Sequence, residues 1–260
     1  MKIVYCYAFI ILGIVVWALL IPTKKKINPK LMELTTTFGG AFLFATCFLQ
    51  LVPHLFFPHI HEHAGVCIHE HSHGLLSLLK PGVWVLVGFV VQLLLETLTR
   101  GIEHGHNHAD TCTHSHHDHA CPITGLLIGL SLHAFMEGMP LTFGSDEVHW
   151  GLLYGIILHN IPVSLILVTL FINHGYSTAK SAGLLSLFAV MTPLGSIFNR
   201  YLLVNVDNIE QPVMGIVIGI LLHVSVSILF DHDNNRYSPL KFLLIIVAFV
   251  LAYMVPGCQH

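Results

Sequence analysis

The chain has 260 residues, 54% of them hydrophobic and only 10% charged, where soluble domains carry about 25% charged residues. Its 11 Lys+Arg and 14 Asp+Glu leave a formal charge of -3, which gives no electrostatic footprint for nucleic acid or an acidic partner. The composition excludes a soluble globular domain and points to one polytopic membrane domain over residues 1–260, with the lipid bilayer as its surroundings. The 21 His are the outlier, and the six Cys sit in a chain too long and too poor in loops for a disulfide scaffold.

The first apolar run covers residues 3–21. No small-residue cleavage site follows it, and Lys24, Lys25, Lys26 and Lys30 read as a cytoplasmic anchor rather than the end of a signal peptide. The second span, residues 34–57, carries the pair Gly39-Gly40, which permits close helix contact, and ends in Gln50, Pro53 and His54. The loop over 58–81 then holds His59, His61, His63, Cys67, His69, His71 and His73. Residues 82–99 form the third span, with Glu96 near its far end as a snorkelling rim carboxylate or a pathway group.

A second histidine-rich loop, 103–121, holds His104, His106, His108, Cys112, His114, His116, His117, His119 and Cys121. It lacks apolar periodicity, so it reads as a disordered segment that binds soft or borderline cations in many arrangements. Transport itself need not depend on it.

The fourth span runs from Ile123 to Phe143 and contains His133 and Glu137. These stand one helical turn apart and share a face. A carboxylate near mid-bilayer costs at least ~3 kcal/mol and marks a pathway or a bound ion. The short link 144–148 makes the fifth span, 150–172, an antiparallel neighbour. His133 and His159 are each about ten residues from the linked ends, so the two helices bring them to one depth. Asn160 follows His159, and Pro162 removes the N–H that would bond the Leu158 carbonyl. With Pro140 and Pro193 this gives three proline-broken helices, and irregular backbone at membrane depth lines cavities.

The sixth span covers 181–204, the seventh 211–230 with His223, and the eighth 240–255. Lone intramembrane histidines also serve as interhelical hydrogen-bond partners, which leaves two readings of His223. The expected fold is therefore all-α, with eight transmembrane helices. Lys24, Lys25, Lys26, Lys30, Arg100, Lys180, Arg236 and Lys241 fall on one side, against Lys2, Lys80 and Arg200 on the other. The positive-inside bias puts both termini outside, the 58–81 loop outside and the 103–121 loop in the cytoplasm.

His133, Glu137 and His159, with Asn160 and His223 as weaker candidates, make a donor set for zinc and equally for iron or manganese. The motifs resemble those of the ZIP family of divalent-metal transporters. The fourth-span motif of that family is similar to His-Asn-x-x-Glu-Gly, and here reads His133-Ala134-Phe135-Met136-Glu137-Gly138. The fifth-span motif is similar to His-Glu-x-Pro-His-Glu, and here reads His159-Asn160-Ile161-Pro162-Val163-Ser164. Gly39-Gly40 through Pro53, Gly88-Phe89 with Glu96, and Thr192-Pro193-Leu194-Gly195 also resemble the family.

The resemblance implies a 3+2+3 bundle, a homodimer, and two adjacent metals bridged by carboxylates. Ala134, Asn160, Val163 and Ser164 depart from that pattern, and the expected seventh-span acid near Ile228 is absent. The second metal site is therefore lost or weakened, which brings transport itself into question.

The leading expectation is a secondary carrier that imports a divalent cation, with Gln50 and His54 at the entrance and Glu96 at the exit. The cation is the substrate, and no organic cofactor is expected. A non-transporting sensor or degenerate relative is the alternative. A b-type haem protein with His133, His159 and His223 as axial ligands is a remoter one. An intramembrane metalloprotease lacks its His-Glu-x-x-His helix, so no enzyme is expected. The compact chain with short loops points to a bacterial inner membrane.

Overall fold

The computed structural model describes residues 29–56, 80–99, 123–142, 148–203, 206, 209–230 and 239–255. The apolar run 3–21, the lysine cluster before Lys30, and the histidines and cysteines of both histidine-rich loops lie outside these residues.

The described residues are helical throughout their regular structure. In chain order they form α1 (Pro29–Phe56), α2 (Pro81–Thr99), α3 (Ile123–Thr142), α4 (Trp150–Asn173), α5 (Thr178–Leu203), α6 (Glu210–Phe230) and α7 (Pro239–Met254). Five of them, α1, α3, α4, α5 and α6, are long and apolar enough to cross a membrane. The other two are apolar but shorter in their qualifying length. At 1.5 Å per residue the 16 residues of α7 reach about 24 Å, short of a ~30 Å hydrocarbon core. Lys241 at its start pairs with Glu33 of α1, which extends its polar anchoring at that end.

Local chemistry sets the ends. Gly175 adopts φ 76° just past α4, and the amides of His174, Gly175 and Tyr176 bond back to the carbonyls of Leu170, Ile172 and Phe171. Ser177 caps α5 by accepting from the Lys180 amide. Between α3 and α4 the His149 amide bonds the Leu141 carbonyl at 3.2 Å, so the two helices meet there as antiparallel neighbours.

Pro162 and Pro193 do not break their helices, contrary to expectation; α4 and α5 run on through both. A proline interrupts one hydrogen bond, and packing on either side holds the axis. The distortions lie elsewhere. After Gly138 the end of α3 tightens into a 3-10 turn, Met139–Thr142, that includes Pro140. Wider π turns sit in α1 at Cys47–Leu51 and in α5 at Asn199–Leu203.

Glycines set how closely the helices approach. A methyl on Gly138 would overlap the Thr192 carbonyl, and one on Gly195 would overlap that of Phe135, so α3 and α5 are in backbone contact. Gly88 of α2 and Gly219 of α6 oppose each other's helices in the same manner. A methyl on Gly39 would stand 2.8 Å from the Leu158 carbonyl oxygen, the acceptor that Pro162 leaves free, so α1 lies tight against α4 beside His159. The main core joins these helices through Leu43, Leu51, Leu152, Phe171, Phe188 and Met214. A smaller cluster of Ala41, Phe42, Ala45, Ala248 and Ala252 seats α7 on α1.

Candidate metal site

Three side chains from α3 and α4 converge inside the bundle. His133 and Glu137 project from one face of α3, and His159 comes from the antiparallel α4 at the same depth. One ligand atom from each lies within 4.8 Å of the other two. All three are buried, and Glu137 is fully so. His133 Nε2 stands 2.8 Å from Glu137 Oε1, and the two imidazoles meet edge-on with centroids 6.1 Å apart. Ligands on one tetrahedral zinc stand roughly 3.3 Å apart, given bonds of about 2.0–2.1 Å.

The polar accounting points the same way. Glu137 has His133 Nε2 as its close partner at Oε1, while His159 Nδ1 and Asn160 Nδ2 are buried without a partner of hydrogen-bond geometry. A buried carboxylate is costly unless it is paired and fully hydrogen-bonded. A cation among His133, Glu137 and His159 removes the cost.

A cavity opens beside the cluster. His133, His159 and Asn160 form its inner wall, and Thr36, Glu96, Leu126, Ile166, His223 and Ser227 line it towards one end of the bundle. The other end is closed by packed apolar groups: Leu51, Met139, Leu141 and Leu152 are each at most 6% exposed. Among the described residues the cavity thus leads from the cluster towards one end of the bundle.

Each residue singled out in the sequence has a definite place. His133, Glu137 and His159 come together, with Asn160 beside them. His223 is not in that group. Its Nε2 lies 3.6 Å from Glu96 Oε2, and Phe89 packs edge-on against its ring at 4.6 Å. Glu96 and His223 therefore form a pair of their own further along the cavity. Gln50 and His54 sit at the closed end, Gln50 against Gly151 and His54 edge-on to His149 at 5.6 Å.

Among the residues that implied a weakened second site, Ser164 is buried and donates to the Ile161 carbonyl at 2.7 Å, while Val163 presents only carbon to the cavity. Sequence reasoning missed Gln92. It is fully buried on α2, with its Oε1 3.1 Å from His133 Nδ1. The available signal was a polar residue mid-span, one helical turn before Glu96.

The family model described as ZIP Zinc transporter matches residues 2–125 and 103–256. The chain is 36% identical to zinc transporter SLC39A7 of Rattus norvegicus over 94 residues, which is 35% of this chain and 20% of that protein. It is 35% identical to the Homo sapiens protein of the same name over 91 residues, 34% of this chain and 19% of that one. The matched segment thus spans about a fifth of these curated relatives. With five helices able to cross a bilayer and a match to one family model along nearly its whole length, the chain is an integral membrane protein and belongs to the ZIP zinc transporter family.

Proposed function

We propose that the protein is a secondary carrier that moves a divalent cation, zinc foremost and iron or manganese next, into the cytoplasm. The observation that carries this reading is the buried group of His133, Glu137 and His159, whose ligand atoms lie within 4.8 Å of one another around a fully buried carboxylate. Two imidazoles and one carboxylate leave a further coordination position open, as in exchanging rather than structural zinc sites. The cation is substrate; the reading needs no organic cofactor and no enzymatic step.

Eight spans in a 3+2+3 bundle, both termini outside, place the open end of the cavity in the cytoplasm. The cation then enters from the closed end past Gln50 and His54. It binds the triad beside Asn160 and leaves by the Glu96–His223 pair. A homodimer is part of the reading only through family membership. The substitutions at 134, 160, 163 and 164 leave one principal site in place of two. That loss is what favours the second reading, a metal-binding sensor that does not transport. The haem reading has little support, because His133 and His159 share a cluster with Glu137 while His223 faces Glu96.

Uptake of zinc, iron and manganese into proteoliposomes, wild type beside Glu137→Ala, tests this. Influx is expected in the wild type and none in the variant, since the only carboxylate of the triad is gone. Stoichiometric zinc binding without influx of any metal would replace the carrier by the sensor.

A further inference from the structure

We infer that Gln92 is a positioning residue for the cation site: its amide oxygen accepts the His133 Nδ1 proton and leaves the Nε2 lone pair for a cation shared with Glu137 and His159. The inference rests on the reading of His133, Glu137 and His159 as the cation site.

Gln92 is 0% exposed in the middle of an apolar helix. Placing a primary amide there is costly unless it is hydrogen-bonded. Its Oε1 is 3.1 Å from His133 Nδ1, while His133 Nε2 is 2.8 Å from Glu137 Oε1. A neutral imidazole has one donor and one acceptor nitrogen, so the partner of one nitrogen decides what the other can do. An acceptor at Nδ1 leaves Nε2 free to ligate. The reverse amide orientation would donate to Nδ1, protonate Nε2 and remove His133 from the ligand set.

The helix frame makes the contact repeatable. Gln92 lies one turn beyond Gly88, where α2 is locked in backbone contact with α6, and one turn before Glu96. One face of α2 thus serves the triad through Gln92 and the exit pair through Glu96. A neutral acceptor also orients His133 without adding a second negative charge beside Glu137. A carboxylate would raise the basicity of the imidazole and hold the cation more firmly.

This gives a test with opposite signs. Zinc uptake into proteoliposomes is measured against zinc concentration for the wild type, Gln92→Leu, Gln92→Glu and Glu137→Ala. Gln92→Leu is expected to raise the half-saturating zinc concentration by about 10–100-fold, the usual cost of losing an outer partner of a ligating histidine, with the maximal rate near wild type. Gln92→Glu is expected to leave half-saturation no higher than wild type and to lower the maximal rate by slowing release. A packing role alone would impair both variants in the same direction and would overturn the inference. So would an unchanged half-saturation in Gln92→Leu beside an inactive Glu137→Ala. An active Glu137→Ala would remove the site reading and this inference with it. A readout independent of the variants at 92 is the nitrogen-15 spectrum of the histidine rings in the zinc-loaded wild type, with the His133 signal assigned by His133→Gln. Protonation at Nδ1 is expected; protonation at Nε2 overturns the inference.

Discussion

Ser164 stands where the resemblance to the family implies a carboxylate, and its hydroxyl is spent on the Ile161 carbonyl at 2.7 Å. The Oγ lone pairs remain, but a neutral hydroxyl supplies none of the charge that a carboxylate would. Ser164→Ala is therefore expected to leave zinc uptake within about twofold of wild type and to cost at most ~1 kcal/mol of stability, the net worth of one such hydrogen bond. Uptake kinetics and a detergent melting curve check the two parts. His223 belongs to a different case. It pairs with Glu96 beyond the triad, so its removal acts on release rather than on capture. His223→Ala is expected to lower the maximal uptake rate severalfold while the half-saturating zinc concentration stays near wild type. A large rise in half-saturation would instead make His223 a ligand of the principal site.

At the scale of the helices, the site depends on contacts made without side chains. Gly138 follows Glu137 directly, and a methyl there would overlap the Thr192 carbonyl of α5. Gly138→Ala must push α3 away from α5 and carry Glu137 with it. Overpacking of this kind costs about 1–3 kcal/mol, and more where backbone is the obstacle. The expected result is a lower melting temperature in detergent together with lost uptake. Gly183, which has open space around it, is the control: Gly183→Ala is expected to be neutral or slightly stabilising, because alanine is the better helix former.

For the whole molecule, the division is between the helices around the triad and the histidine-rich sequence 103–121, which lies between α2 and α3 and outside the described residues. The cavity points towards the end of the bundle where α2 stops and α3 begins. Under the proposed orientation that segment receives the cation after release. Deleting residues 104–119 is expected to slow or deregulate uptake without abolishing it, whereas Glu137→Ala abolishes it. Loss of all transport on the deletion, with transport intact in Glu137→Ala, would move the essential site from the frame to the segment.

Sequence alone determined the number and place of the described helices, because apolar runs of this length have few other uses; α2 to α7 begin and end within three residues of the expected bounds. The proximity of His133, Glu137 and His159 was legible too, since an i, i+4 pair and a short antiparallel link fix a shared face and a shared depth before any packing is known. Tertiary structure decided what periodicity does not encode. His223 sits at a plausible depth, but rotation about the α6 axis and the contact of α6 with α2 turn it to Glu96 instead of the triad. Gln92 was invisible for the same reason: one polar residue in an apolar span has no partner until another helix supplies it. Pro162 and Pro193 looked like breaks because the missing hydrogen bond is a local fact. Whether the axis yields is settled by the neighbours that hold it, here Gly39 against the Leu158 carbonyl for the first of them.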